Sequence, residues 1–166
     1  MVAILLLEAF QPLLRPTDLR LLERLIRQSR TWAFVDELAV AIVGPLVERS
    51  PAVLRVIDRW AEDEDFWLRR SAMLALLRPL RRGDGDFRRF ARYADRMLEE
   101  REFFIRKSIG WILREAGKPR PEMVYAWLLP RATRASGVTV REAVKYLSSA
   151  QRAAVLAAYQ SATRRG

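Results

Sequence analysis

The sequence contains no cysteine and no histidine, and these two absences restrict its chemistry. The absence of cysteine excludes disulfides, thiolate metal sites and an iron–sulfur cluster. The absence of histidine excludes Ser-His triads, imidazole acid–base catalysis and His-ligated zinc. Any catalysis therefore has to use carboxylates, Lys, Tyr, Ser or electrostatic effects, and we expect neither a metal nor an organic cofactor.

The chain also lacks a long hydrophobic run near its start. The apolar stretch from Met1 to Leu7 is interrupted by Glu8, and no basic residue precedes it. It is too short to span a membrane and does not have the layout of a signal peptide. We therefore expect a cytoplasmic protein that does not act on membranes.

Positive charge is in excess. Lys and Arg total 30 against 20 Asp and Glu, which gives a net charge of +10 and a pI near 11.0. With 51% hydrophobic residues, the 166-residue chain is globular, and we expect a single domain over residues 1–166. The charge favours an anionic partner, first nucleic acid and then a membrane surface. Composition alone leaves open that the excess is only an Arg-rich bias.

Residues 32–44 (WAFVDELAVAIVG) combine an apolar helical stripe with an acid at its margin. Asp36 follows Trp32 by one helical turn, so the two side chains lie on one face. The dipeptide Gly44-Pro45 predicts a bend or an end of the first part of this helix. The stripe, at the three- and four-residue spacing of a packed helix, consists of Val35, Leu38, Ala39 and Ile42.

Internal repetition is the more informative feature. Residues 66–71 (FWLRRS) align on residues 103–108 (FFIRKS), 37 positions later, and residues 140–143 align on residues 105–108, 35 positions apart. Asp36 aligns on Arg70 at a distance of 34. No segment shows the two-residue alternation of a strand, and a final Ala-rich helix is predicted over residues 150–164. The predicted fold class is all-α.

Helix pairs that return at this interval are typical of a right-handed α-solenoid of HEAT-like antiparallel helix pairs. The second helix of each pair would line a concave basic groove, with Asp36, Arg70 and Lys107 at corresponding places. Such a groove suits a phosphodiester backbone. The alternative is that each base is an ordinary solvated charge. The other bases that we predict to contact the DNA backbone are Arg69, Arg106, Arg141 and Lys145.

The tryptophans divide into two groups. We predict that Trp60, Trp67 and Trp127 pack in the core or between repeats. The roles of Trp32 and Trp111 depend on the resemblance described next, and packing between repeats remains their alternative.

The segments RTWAFVDELA, FWLRRSA and EFFIRKSIGWILRE resemble the DNA alkylation repair glycosylases built from HEAT-like repeats. The resemblance runs over about residues 8–147, and FFIRKSIGW is its most specific part. It implies base excision repair: duplex DNA carrying an N3- or N7-alkylated purine is held in the groove, and the N-glycosidic bond is hydrolysed without base flipping. The family's essential acid corresponds to Asp36, its aromatic residues to Trp32 and Trp111, and its groove arginine to Arg70.

The chemistry that this resemblance implies suits a chain without histidine. An alkylated purine is cationic and leaves without a general acid, so the enzyme has to stabilise an oxocarbenium-like sugar and position a water. Asp36 would do both, and Trp32 and Trp111 would place their faces against the cationic sugar. The alternative for Asp36 is an ordinary rim acid that balances Arg30 or Arg70. Arg70 would hold a flanking phosphate. We expect a monomer acting on duplex DNA, without a metal.

The chain departs from this family at its start. Family members carry further helical pairs ahead of the segment that corresponds to Met1, so we expect an incomplete first helix pair. The absent helices would complete the groove and cap the solenoid.

Two non-enzymatic alternatives remain. One is a HEAT-repeat module that binds DNA, RNA or an acidic protein, and the other is a scaffold that binds no nucleic acid. The position of Asp36 distinguishes them from an enzyme. An enzyme needs Asp36 in the same groove as Arg70 and Trp111, whereas an Asp36 on the convex side or buried in an ion pair favours a binding module.

Overall fold

The structure, a computed structural model, describes the backbone of residues 2–163 and the side chains of residues 4–161. Over this part of the chain it contains helices and no strand, which confirms the all-α, solenoid-like class. The final helix is described to Thr163, and residue 164 of the predicted helix lies outside the described residues. The α-helices are α1 Val2–Ala9, α2 Leu19–Ser29, α3 Trp32–Glu37, α4 Gly44–Arg49, α5 Pro51–Trp60, α6 Phe66–Leu74, α7 Leu77–Arg82, α8 Phe87–Met97, α9 Phe103–Gly117, α10 Pro121–Leu128, α11 Gly137–Ala143 and α12 Ser149–Thr163.

The helices divide into two compact units, Met1–Arg78 and Pro79–Gly166. In the first unit α3 packs on α2 and α6, and in the second unit α9 packs on α8, α10 and α11. The single domain over residues 1–166, like the concave groove, stays a prediction. Among the described residues, no helix is long and apolar enough to cross a membrane.

Side-chain contacts inside each unit follow the repeat interval. In the first unit Arg27 binds Asp63, 36 residues later, and Trp60 donates its indole N–H to Glu23, 37 residues earlier. In the second unit Arg131 binds Asp95 across 36 residues. Contacts at this spacing join equivalent positions of neighbouring helix pairs, as the sequence repeats predict.

The two best-matched repeats also begin their second helices alike. The Asp65 carboxylate accepts the backbone N–H of Trp67 at 2.8 Å, and the Glu102 carboxylate accepts that of Phe104 at 3.2 Å. Each acid satisfies an N–H group that the first turn of a helix leaves without a partner. Residues 37 positions apart in these two repeats therefore share a helix start as well as a sequence pattern.

The helical backbone continues through Gly44-Pro45, where a break was predicted, but its winding changes there. Leu38–Val43 forms a π-helical turn, and the N–H of Gly44 bonds the carbonyl of Ala39, five residues back. Pro45 then lies in the first turn of α4, where it has no N–H to donate to a carbonyl of the π-helical turn before it. Wide turns of this kind are frequent at functional sites, and this one begins two residues after Asp36.

The predicted core residues are buried. Each residue of the stripe from Val35 to Ile42 is at most 1% exposed. Trp60 is fully buried, and Trp67 and Trp127 are nearly so, which confirms their packing role. The stripe fixes the orientation of α3, so Asp36, which lies at its margin, reaches the surface of the first unit.

Gly110 lies where α9 packs closely against α11. A Cβ added there would lie 2.9 Å from the Cβ of Glu142 and 3.1 Å from the backbone of Thr139. Gly110→Ala should therefore lower the melting temperature, because overpacking costs about 1–3 kcal/mol and outweighs the helix propensity of Ala, about 1 kcal/mol over Gly.

Gly117→Ala is the matched control on the same helix. Its added Cβ would meet no atom closer than 3.8 Å, so this substitution should leave stability unchanged or raise it. Equal melting temperatures for the two variants in a thermal scan would contradict the close packing at Gly110.

Candidate functional site

The alignment of the repeats places one residue of each second helix at an equivalent position. We call this the register position. It is occupied by Asp36, Arg70, Lys107 and Glu142. Inside each unit its two members are ion-paired: Arg70 binds Asp36 across 34 residues, and Lys107 binds Glu142 across 35. The register position therefore joins neighbouring helices by an ion pair in both units.

The Asp36–Arg70 pair has a bidentate geometry. The Nε of Arg70 donates to Oδ1 of Asp36, and its Nη2 donates to Oδ2, each over 2.7 Å. The Arg70 side chain is 3% exposed, whereas that of Asp36 is 14% exposed. Two parallel charged hydrogen bonds fix the plane of the carboxylate. Both partners are therefore largely buried, and Asp36 is the one that solvent still reaches.

This arrangement differs from the one predicted for Arg70, which was expected to hold a flanking phosphate. Its guanidinium is buried, and two of its nitrogen atoms are bound to Asp36. The pair occupies one edge of the guanidinium, and little of the side chain is open to solvent. In the structure, Arg70 instead positions Asp36.

The two predicted sugar-facing tryptophans belong to different units. Trp32 is the first residue of α3, one turn before Asp36, and is 54% exposed. Such exposure leaves its ring available for a ligand. Trp111 is half-buried on α9, directly after Gly110. The sugar-facing role of Trp111 stays a prediction.

A second acidic contact lies beside Asp36 and was not foreseen from the sequence. The side chain of Glu37 hydrogen-bonds that of Glu8, which raises the pKa of Glu37, and burial and the charges of Glu8 and Asp36 raise it further. A carboxyl pair of this kind is stable while it shares a proton. The contact joins α1 to α3, and no sequence pattern connects these two helices.

In the second unit, three cationic side chains bind Glu142. We call Glu142 and these three residues, Lys107, Arg114 and Lys145, the Glu142 cluster. Glu142 Oε1 accepts from Nζ of Lys107 at 2.9 Å, and Oε2 accepts from Arg114 at 2.6 Å and from Lys145 at 3.0 Å. Burial acts to raise the pKa of Glu142, but the hydrogen bonds from the two lysines and the charges of Lys107 and Arg114 lower it to about 2. Lys107 and Lys145 were predicted as DNA contacts, whereas Arg114 was not.

The remaining predicted DNA contacts have mixed surroundings. Arg69 donates to the carbonyls of Asp63 and Glu64, and Arg106 donates to that of Glu100, so both tie their helix to the turn before it. Arg141 is exposed on α11. Contact of these three residues with DNA stays a prediction.

Comparisons with known proteins agree with the resemblance found in the sequence. A family model described as DNA alkylation repair enzyme matches residues 1–147. The fold is similar to that of a solved protein from Enterococcus faecalis described as a predicted DNA alkylation repair enzyme. The TM-score is 0.79 and the identity 26%, over 89% of this chain and 68% of that chain. No curated protein matches.

The Glu142 cluster predicts an acid-dependent loss of stability. Between its ordinary pKa of 4.5 and its native value of about 2, Glu142 binds fewer protons in the folded than in the unfolded chain. Its contribution to the free energy of unfolding is therefore complete above pH 4.5 and is lost as pH falls toward 2. Wild type should be more stable than Glu142→Gln at pH 6, and the difference should shrink at pH 3 and below. A difference in melting temperature that stays constant over this range would contradict the assignment.

Proposed function

The chain belongs to the DNA alkylation repair enzyme family, and we propose that its role in DNA repair is that of a DNA glycosylase. The proposed substrate is duplex DNA that carries an N3- or N7-alkylated, cationic purine. The enzyme would hydrolyse the N-glycosidic bond without base flipping, as the first step of base excision repair. We further propose that it acts as a monomer in the cytoplasm.

The observation that carries this proposal is the fixed and partly exposed carboxylate of Asp36. Arg70 holds both of its oxygen atoms and is the more deeply buried partner. Each carboxylate oxygen has a further lone pair, so binding to Arg70 does not use up its capacity to accept hydrogen bonds. Asp36 is therefore a fixed negative charge that keeps limited access to solvent, and electrostatic stabilisation of a developing cation requires such a fixed charge.

The reaction needs little else from the protein. The N-glycosidic bond breaks with its electron pair moving to the alkylated purine, whose positive charge is thereby neutralised. The sugar is left with oxocarbenium character, and water adds to it and loses a proton. Asp36 would stabilise the cationic sugar and orient the water. The departing base needs no protonation, so a chain without histidine is suited to the reaction.

Aromatic rings would add to this stabilisation. Trp32 lies one turn before Asp36 and exposes half of its surface, so its face can approach a cationic sugar. Trp111 is proposed as the second such ring. Arg70 is assigned to positioning Asp36, in place of the phosphate contact expected from the family. The proposed contacts with the DNA backbone are Arg69, Arg106, Lys107, Arg141 and Lys145.

A non-enzymatic binding module is the second candidate, and the ion pair itself favours it. A carboxylate paired with a buried guanidinium is also what a purely structural contact between α3 and α6 would look like. The two candidates differ in what the charge of Asp36 does for base release.

Base release from methylated duplex DNA tests the proposal. Asp36→Asn should slow the release of 7-methylguanine or 3-methyladenine on the order of 100-fold, because it removes the stabilising charge. Glu37→Gln, which removes a carboxylate one residue away, should stay within a few-fold of wild type. Release should be measured in single-turnover reactions, with DNA binding checked for each variant.

A second variant separates catalysis from folding. Asp36→Asn leaves the Arg70 charge buried without its anion, which costs about 3–5 kcal/mol in comparable pairs. The double variant Asp36→Asn/Arg70→Met removes both charges and should recover stability while remaining inactive. Release at the wild-type rate by either folded variant would exclude Asp36 from the reaction. Absence of release by the wild-type chain would favour the binding module.

Trp32 gives an independent prediction. Because its ring is exposed, Trp32→Ala should leave the melting temperature nearly unchanged. It should lower the rate of base release roughly 3- to 30-fold, as expected from loss of a cation–π contact worth about 0.5–2 kcal/mol. Phe103→Ala is the control, since Phe103 lies one turn before the register position of its own helix and is 53% exposed. Equal rates for the two variants would argue against a role for Trp32 at the sugar.

A further inference from the structure

The Glu142 cluster has its cations outside and its acid inside. The side chains of Lys107 and Lys145 are 42% and 48% exposed, and that of Arg114 is 27% exposed, against 12% for Glu142. Three cations bind the one carboxylate of Glu142, and one of them, Arg114, also binds a second acid, Glu115. The part of the cluster that solvent reaches therefore consists mainly of ammonium and guanidinium groups.

Arg114 is held in place from a second side. Its Nε donates to Oε1 of Glu115 at 3.2 Å, while its Nη1 binds Glu142. The cluster also joins two elements, because Lys107 and Arg114 lie on α9 whereas Glu142 lies on α11. Its three donors thus converge on the two oxygen atoms of one carboxylate. A phosphate group presents the same kind of oxygen acceptors to the same donors.

The comparison with the first unit shows that this exposure is not a general consequence of the repeat. Asp36–Arg70 and Lys107–Glu142 occupy the same register position. The two acids are similarly buried, at 14% exposed for Asp36 and 12% for Glu142, but Arg70 is 3% exposed whereas Lys107 is 42% exposed. The register position therefore exposes a cation in the second unit but not in the first.

We propose that Lys107, Arg114 and Lys145 form a binding site for one phosphate group of the DNA backbone, and that Glu142 occupies this site in the free protein. The inference deepens the proposed function and rests on its choice of DNA as substrate. It adds Arg114 to the DNA contacts and makes Glu142 a positioning residue. Glu142 holds the three donors together, and it competes with the incoming phosphate for them.

The competition has a measurable consequence. To bind a phosphate, the cations have to exchange part of their contact with Glu142 for contact with the phosphate. Glutamine at this position keeps an oxygen acceptor and a similar shape but has no charge, so it competes more weakly. Glu142→Gln should therefore bind undamaged duplex DNA roughly two- to fivefold more tightly than wild type at low salt. The gain should diminish as salt is raised.

Glu99→Gln is the matched control. Glu99 belongs to the same unit and pairs with Arg134, 35 residues later, at 3.1 Å, but that pair does not involve the cluster. Both substitutions raise the net charge by one. Tighter binding by Glu142→Gln than by Glu99→Gln therefore reports the local site, whereas equal binding would show only an effect of net charge and would overturn the proposal.

Lys145→Gln supplies a variant with little risk of misfolding, because Lys145 is exposed. It should weaken DNA binding and reduce the slope of log K against log salt by about one, as loss of one phosphate contact does. A purely structural cluster predicts that Glu142→Gln leaves DNA affinity unchanged, whereas the lower melting temperature of this variant is expected in either case. An unchanged slope for Lys145→Gln, or weaker binding by Glu142→Gln, would overturn the proposal.

These measurements use undamaged duplex DNA, so they are independent of base release. A protein that binds DNA as expected but does not release methylated purines would retain the phosphate site and lose the glycosylase assignment. A protein that releases the base in an Asp36-dependent way, but whose binding does not respond to Glu142 or Lys145, would retain the glycosylase assignment and lose the phosphate site.

Discussion

The structure depends on ion pairs between equivalent positions of neighbouring helices. Arg70 is nearly inaccessible to solvent, and a buried guanidinium is stable only beside an anion, which Asp36 supplies through two hydrogen bonds of 2.7 Å. The same contact fixes α6 against α3 and fixes the plane of the Asp36 carboxylate. The structural and chemical requirements on Asp36 therefore coincide. Its negative charge neutralises the buried Arg70, and the same charge could stabilise a reacting sugar.

Placement of opposite charges at one repeat position suits an alkylated DNA substrate. Such a substrate is anionic along its backbone and cationic at the damaged base. An excess of Lys and Arg attracts the backbone but repels the lesion. In this chain the net charge of +10 is combined with a local exception at Asp36, where the more exposed partner of the ion pair is the anion. The lesion would be distinguished by charge, without the enclosing pocket that base-extruding enzymes use.

Much of the fold followed from the sequence, whereas the pairing of charges did not. Hydrophobic periodicity located the buried stripe from Val35 to Ile42, because burial depends on the helix's own spacing. The repeat interval placed Asp36 and Arg70 at equivalent positions. A pair with Arg70 was one alternative for Asp36, beside a pair with Arg30. The sequence could not choose between them, because a charge pattern shows neighbours and not which partner each group takes. The contacts of Glu142 with Arg114 and of Glu8 with Glu37 were missed for the same reason.

The π-helical turn at Leu38–Val43 sets the angular relation between the two halves of its helix. An added residue in a helix rotates everything beyond it by about 100°. In α4, Leu46 and Val47 point into the interior, and in α3 Asp36 lies at the surface beside the buried Val35. With uniform α winding at about 100° per residue, Leu46 would still lie about 20° from Val35, so the burial of both residues does not require the wide turn. What the turn accommodates is Pro45, whose ring would clash with the carbonyl four residues back in a regular α-helix. The wider winding thus lets one helical segment carry both Asp36 and the buried Leu46 past a proline.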